Sequence, residues 1–260
     1  MVYDINGNEI SSVPELKRIR VLEYNIANFT GDGTYYGYNG NDLSEYMAEW
    51  AKYIGSTNAD ICLFAESRKH IDSDNTTLST ASLFSELYNY VNDYGNADLE
   101  PWRVAILTNV EQTNVIGNIF THQVTDGGSK YIMADVIING LPVKIITVHL
   151  MHGSEQSSVT LRAQQMSELI DMTQNVDNVI IAGDFNTRSL SELQAMKNAG
   201  FSFSNGGIWG EFLTQGKPTP LYPVDNICVK GGHLKIQNFT VDYDCLLSDH
   251  YPSITDIIVY

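Results

Sequence analysis

The dipeptide Asn139-Gly140 separates two apolar, β-rich runs, Tyr131 to Ile138 and Leu141 to His149. Asn-Gly favours the positive φ of a two-residue hairpin turn. The two runs therefore predict neighbouring antiparallel strands, and whatever architecture the chain adopts must hold an antiparallel pair in mid-chain. Around this hairpin, short strand-like runs alternate with helical patterns from end to end. Arg20 to Asn25, Ile61 to Ala65, Val104 to Thr108 and Val179 to Ala182 read as strands, with three late strands completing the set. Leu43, Tyr46, Met47, Trp50, Ala51 and Ile54 recur at helical spacing, with Asp42 and Glu45 as a capping box and Gly55 as a stop. Further helices are predicted over Leu78 to Asn89, over Val159 to Thr173, and from Ser189 and Glu192 to Gly200.

No internal repeat, low-complexity tract or linker is present in the sequence. It reads as a single domain over residues 1–260, with 1–17 as an N-terminal extension and polar loops at Gly31 to Asn41 and near Ile71 to Thr77. With 43% hydrophobic residues, a chain of this length can bury a large core, which argues against disorder. Apolar stretches such as Val179 to Ala182 are far shorter than the ~20 residues of a membrane-spanning helix. Met1 to Ile10 is polar and acidic, unlike a secretory signal. The expectation is a soluble protein: cytoplasmic, secreted and trimmed, or an excised domain.

A net charge of −16 argues against a protein that holds nucleic acid by bulk charge. It leaves open an enzyme whose bound cations supply local positive charge. Cys62, Cys228 and Cys245 lack the spacing of a zinc site or a disulfide framework. Cys62 and Cys228 lie in apolar runs, as small buried thiols do.

Polar residues gather at the strand ends. Asn25 closes the first strand, Glu66 follows the second, and His149 closes the hairpin. Asp184 and Asn186 follow Val179 to Gly183, Asp225 opens a late strand, and Asp249-His250 precedes the last one. Any one of these reads equally as a turn or cap residue. Together they predict loop residues from several strand ends converging on one cleft. Glu66, Asp184 and Asp249 are hard oxygen donors suited to Mg²⁺, Mn²⁺ or Ca²⁺. Histidines beside carboxylates supply acid and base groups near neutral pH. Such a set fits metal-assisted hydrolysis of a phosphoester by an activated water.

The succession Glu23-Tyr24-Asn25, Asp60 to Glu66, Val148-His149-Leu150, Gly183-Asp184-Phe185-Asn186, Val224-Asp225-Asn226-Ile227 and Ser248-Asp249-His250 resembles the endonuclease/exonuclease/phosphatase superfamily, the deoxyribonuclease I-like proteins. The resemblance runs from about Arg18 to Ile258, with the motifs in family order. It implies an α/β four-layer sandwich: two mostly antiparallel sheets face to face, helices on the outer faces, and a metal-dependent cleft at one edge. It also implies that Glu66 is the principal metal ligand, with Asn25 and Asp249 completing the metal environment, and Mg²⁺ or Mn²⁺, or Ca²⁺, as cofactor. His250 resembles the base that activates water, oriented by Asp225. Asp184 and Asn186 resemble the pair that positions the nucleophile, and His149 the group that stabilises the phosphoryl oxygens or assists the leaving group.

The substrate is less sharply implied. Deoxyribonuclease I carries a Tyr-x-Glu segment before its central strand, and its glutamate partners the histidine of the His-Leu motif. Here Leu99-Glu100-Pro101-Trp102-Arg103 stands instead, leaving Glu100, Tyr90 or Tyr94 as substitutes. Arg68 resembles an arginine that contacts nucleic acid backbone, and reads equally as a surface residue paired with an acid. Arg103 and Arg188 are further phosphate-contact candidates. Pro223-Val224-Asp225-Asn226 lacks the Trp-Cys-Asp-Arg expected of inositol polyphosphate 5-phosphatases and the Trp-Arg-x-Asp of abasic-site endonucleases. No apolar lipid-contacting hairpin is evident, although the Tyr-rich loop Thr34 to Tyr38 suits an interface. The reading is a phosphodiesterase or endonuclease acting on DNA or RNA. The alternatives are a phosphatase, a sphingomyelinase-type or phosphoinositide-type phosphodiesterase, or a binding module that has lost catalysis; oligomeric state is open.

Overall fold

The computed structural model describes residues 2–3, 9–10, 17–29, 43–68, 70–71, 77–95, 102–124, 128–216 and 219–260. In chain order the first elements are β1 (Val2–Tyr3), β2 (Glu9–Ile10), β3 (Lys17–Asn25), α1 (Leu43–Thr57) and β4 (Ile61–Ala65). Next come β5 (His70–Ile71), β6 (Thr77–Leu78), α2 (Thr80–Phe84), β7 (Tyr90–Tyr94), β8 (Val104–Thr108) and β9 (Thr113–Ile119). The centre holds β10 (Lys130–Ile138), β11 (Leu141–His149), α3 (Gln156–Thr173), β12 (Val179–Asp184), α4 (Gln194–Asn198) and β13 (Ser202–Phe203). The last strands are β14 (Asp225–Lys230), β15 (Leu234–Ile236), β16 (Thr240–Val241) and β17 (Ser253–Val259).

Two large sheets result. The first runs β15-β17-β3-β4-β8-β7, with β16 also paired to β17, and the second runs β13-β14-β12-β11-β10-β9. Within them β3 with β4 and β11 with β12 are parallel, and every other pair is antiparallel. The predicted hairpin forms across Ile138 and Leu141, with Asn139 and Gly140 both at positive φ. Β-branched and aliphatic side chains from both sheets, among them Val21, Ile106, Ile145 and Ile227, fill the space between them. Leu22, Tyr24 and Phe64 on the other face of the first sheet pack under Met47, Trp50 and Ile54 of α1 and Phe84 of α2. Ile146, Val148 and Ile181 do the same for the second sheet beneath Met166 and Leu169 of α3 and Met196 of α4. The central strands are thus buried on both faces, which is why they read as continuous apolar runs and not as alternation. This is the four-layer α/β sandwich that the motifs imply.

Some elements differ from expectation. The helix over Leu78 to Asn89 shrinks to α2, opened by a Ser79/Ser82 capping box. Ser85, Glu86 and Leu87 are exposed, so after Phe84 the apolar face is continued by Tyr88 alone, and the chain turns into β7. Gly55 lies inside α1, and the left-handed Asn58 (φ 50°) follows the helix end instead. α3 starts at Gln156, ahead of Val159, and Ser189 caps a 3₁₀ turn at Leu190–Leu193 that leads into α4. The strand β9 was not foreseen, because its exposed edge carries little apolar pattern. Asp42, the loop Gly31 to Asn41 with its tyrosines, residues 72–76 and Glu100 lie outside the described residues. Among the described residues no helix is long and apolar enough to cross a membrane.

Candidate active site

Strand register sets the site. His149 pairs with Asp184 across the parallel β11 and β12, and Asp184 pairs with Asp225 across β12 and β14. These three residues form a row along one end of the second sheet. On the first sheet Asn25 pairs with Ala65, and Glu66 continues the chain beyond β4 with φ 57°. Asp249 and His250 arrive just before β17. Gly183 permits the close approach of β11 and β12: at φ 144°, an added Cβ would meet the Val148 carbonyl oxygen at 2.0 Å.

The two sheets meet through these side chains. Asn25 Nδ2 donates to Glu66 Oε1 at 3.1 Å and to Asp184 Oδ2 at 3.0 Å. Its Oδ1 accepts from Ala27 N–H at 3.0 Å, which fixes the amide orientation. Asn25 therefore presents N–H to both carboxylates and orients them. Asn28 Nδ2 reaches Glu66 Oε2 at 3.3 Å. His250 Nδ1 lies 2.8 Å from Asp225 Oδ2, and its Nε2 lies 3.9 Å from Asp184 Oδ2. His149 Nε2 lies 3.7 Å from Asp184 Oδ2 and 3.8 Å from Glu66 Oε1. Asn186 is held by its own N–H on Asp184 Oδ1 and by its amide on the Leu150 carbonyl. Ser248 Oγ donates to the Asn25 carbonyl and accepts from His250 N–H, tying the Asp249-His250 turn to β3.

Charge is concentrated here. Burial, the neighbouring Asp225 and Glu66 raise the Asp184 carboxyl to about 7. Burial likewise raises Glu66, with Asp249 and Asp225 adding to it. For His250 burial pulls down, but Asp225, Asp249 and Asp184 outweigh it and raise the imidazole to about 10. His149 goes the other way, to about 3, through burial and the nearby His250, Lys130 and His152. Its Nδ1 is buried with no hydrogen-bond partner among the described residues.

Donor atoms of Glu66, His149 and Asp184 lie within 4.8 Å of one another, as do those of Asp184, Asp225 and His250. Carboxylates crowded into a buried cluster, with raised proton affinity, carry negative charge that a hard divalent cation would offset. The donor set fits Mg²⁺, Mn²⁺ or Ca²⁺.

A cleft of about 290 Å³ opens over the cluster, lined by Glu66, His149, Asp184, Asn186, Asp249 and His250, with Arg188 beside them. Arg188 stacks on the Tyr222 ring at 4.0 Å. Arg68 is half-buried and does not line the cleft. The assignment of Arg103 to phosphate contact is corrected: it is buried and its guanidinium pairs with Asp93, a scaffold interaction. Tyr94, offered as a stand-in tyrosine, packs instead against the inter-sheet core, and neither it nor Tyr90 lines the cleft. The cleft also takes in Trp102, His152 and Gln215, which sequence reasoning did not single out. Trp102 sits at φ 64° and donates its backbone N–H to Asn28 Oδ1. His152 was within reach of inspection, three residues beyond His149; nothing local marks Gln215.

A family model described as the Endonuclease/Exonuclease/phosphatase family matches residues 22–250. No curated protein matches the sequence. Solved structures share the fold at low identity. An endonuclease/exonuclease/phosphatase from Beutenbergia cavernae superposes with TM-score 0.72 at 15% identity, over 94% of this chain and 72% of that one. A family protein from Bacteroides thetaiotaomicron gives 0.70 at 12%, over 95% and 99%. D. rerio TDP2 complexed with a single-strand DNA product gives 0.65 at 14%, over 93% and 99%.

Proposed function

Because the chain belongs to the endonuclease/exonuclease/phosphatase family, which makes it a phosphoester hydrolase, we propose that it is a divalent-metal-dependent phosphodiesterase acting on nucleic acid by in-line attack of water. The observation that carries this reading is the His250–Asp225 pair, 2.8 Å apart and facing Asp184. In its neutral form His250 accepts the proton of the attacking water at Nε2, and Asp225 stabilises the imidazolium that forms. Asp184 and Asn186 orient the water. His149, neutral at ordinary pH, donates from Nε2 to a phosphoryl oxygen. Glu66 and Asp249 would hold the cation, with Asn25 fixing Glu66 and Asp184. The bound ion would supply positive charge against that developing on the phosphoryl oxygens.

Nucleic acid is favoured as substrate by the likeness to TDP2 with its single-strand DNA product. Arg188 is a cation in the cleft suited to a phosphate. The test is turnover of bis-p-nitrophenyl phosphate with Mg²⁺ or Mn²⁺ and after EDTA, alongside duplex DNA, single-stranded DNA, RNA, sphingomyelin and phosphoinositides. Metal-dependent turnover with nucleic acid preferred is the expected result. Preference for a lipid or monoester would overturn the nucleic-acid assignment alone, and no turnover of any ester would indicate a binding module.

A further inference from the structure

Arg162, on α3, is fully buried although its guanidinium stays charged. Its Nη1 donates to the Met151 carbonyl at 3.0 Å and to the Gly153 carbonyl at 2.7 Å, on either side of His152. Nε donates to Glu192 Oε2 at 2.9 Å, and Nη2 lies 2.8 Å from the same oxygen. The other oxygen of Glu192 accepts the backbone N–H of Arg188 at 2.8 Å. Gln165, one turn further along α3, accepts the Met151 N–H at 2.8 Å. The segment after β11 and the segment after β12 thus hang from one buried ion pair. Each brings a residue to the cleft, His152 on the first and Arg188 on the second. An ion pair that only joined α3 to the turn at Leu190–Leu193 would need neither the two carbonyls nor the Arg188 amide.

We propose that Arg162 and Glu192 are positioning residues that hold Arg188 against the phosphate flanking the scissile one, so that the site selects a nucleic acid strand over an isolated diester. The Arg188 guanidinium lies over the Tyr222 ring at 4.0 Å, and its Nε is buried with no hydrogen-bond partner among the described residues. The carboxylates of Glu66, Asp184 and Asp225 pair with His149 and His250 and not with Arg188. Arg188 therefore stands beside the acidic cluster, where the neighbouring phosphate of a strand would arrive. Glu192 fixes its backbone and Tyr222 its side chain. A planar donor held in this way loses little freedom when it takes an anion. Through Arg162 the same carboxylate is tied to the carbonyls flanking His152, so the two cleft segments keep one spacing.

The kinetic part of this inference rests on the nucleic-acid phosphodiesterase reading; the spectroscopic part does not. Glu192→Gln keeps the side chain's size but has one acceptor oxygen, so it serves Arg162 or Arg188 and not both. With Mn²⁺, E192Q is expected to lower kcat/KM on single-stranded DNA about tenfold more than on bis-p-nitrophenyl phosphate, mainly through KM, the size of one lost charge-assisted contact. Arg162→Met should give the same excess. In both, the slope of log K against log salt should fall by roughly one, as for one lost phosphate contact. On an Arg188→Ala background E192Q should add nothing to the DNA-specific loss. The Arg188 Nε–H resonance of the substrate-free protein, identified by its loss in Arg188→Lys, should move in E192Q and R162M. Thermal melting checks folding; where E192Q or R162M does not fold, Glu192→Asp, too short to bridge both arginines, or Arg162→Lys takes its place. Equal losses on the two substrates, an unchanged salt slope, additive losses with R188A, or an unmoved resonance would each overturn the proposal. A wild type that cleaves no nucleic acid would sink that reading, and the resonance would still decide whether the pair positions Arg188.

Discussion

Asp225 and His250 are joined at 2.8 Å although Asp225 opens a strand of one sheet and His250 precedes a strand of the other. The imidazole is thus held by a group whose position depends on how the sheets face each other. If His250 receives the proton of the attacking water, His250→Ala should lower kcat on bis-p-nitrophenyl phosphate by ~100-fold or more. Asp225→Asn should be of similar severity, since an amide cannot stabilise the imidazolium. Near-normal kcat in either variant would transfer water activation to another group, with Asp184 the nearest.

Cation binding should release protons. Glu66 and Asp184 are raised, and His250 carries a proton up to about pH 10 without metal, so an entering cation competes with protons for the same charge. Calorimetric titration with Mn²⁺ in buffers of different ionisation enthalpy should give buffer-dependent heats, and apparent affinity should rise with pH. Glu66→Gln should weaken binding by deleting a charged ligand, and EDTA should abolish turnover reversibly. Heats that do not vary with buffer would contradict this picture.

The metal-free protein should lose stability as pH rises from about 7 to 10. His250 has a folded-state value of about 10 against an ordinary 6.5, so its stabilisation is complete below about pH 6.5 and disappears as pH climbs through 10. Asp184, raised to about 7, loses its contribution in the same direction but at lower pH. Thermal melting across this range with EDTA present should show the decline, and His250→Ala should flatten it. A melting temperature that rises between pH 7 and 10 would show that the imidazole is not held in its charged form.

Among the three candidate arginines, Arg188 lines the cleft. Arg188→Ala should raise KM for DNA and reduce the slope of log K against log salt by roughly one, the effect of a single lost phosphate contact. Arg68→Ala, at a position away from the cleft lining, tests whether DNA extends that far: a reduced slope there too would mean that it does. Arg103→Ala should instead appear as lost thermal stability, because it leaves the half-buried Asp93 without its cation. A salt slope unchanged in Arg188→Ala would remove it from the interface.

Gly183→Ala should destabilise the fold by more than about 1 kcal/mol, since its positive φ is strained for alanine and its Cβ collides with the Val148 carbonyl. Chemical denaturation measures the cost. Where the variant folds, β11 and β12 must part between His149 and Asp184, so kcat should fall more than surface variants of equal stability do. A loss of stability with full kcat would show that this strand spacing is not needed for chemistry.

Strands such as Ile61–Ala65 and Val179–Asp184 are legible in the sequence because burial on both faces makes them apolar runs ended by polar residues. The same ends place Asn25, Glu66, His149, Asp184, Asp225 and His250, since register carries a strand-end residue to the sheet edge. β9 is not legible, as an exposed edge strand needs no apolar pattern. Arg103 misleads because a cation beside a strand looks the same whether it faces a cleft or the half-buried Asp93.

The stacking of the two sheets has a further effect. Asn25 with Asp184, His250 with Asp225, and Glu66 with His149 each bridge the layers. A small sideways slip of one layer over the other would break all three contacts together while leaving each layer's own hydrogen-bond ladder whole. Cation affinity therefore gauges the alignment of the layers. A conservative substitution deep between them, such as Ile106→Val, should reach the cleft as weakened ion binding before calorimetry detects any loss of fold, and a temperature series should show affinity declining ahead of the melting transition.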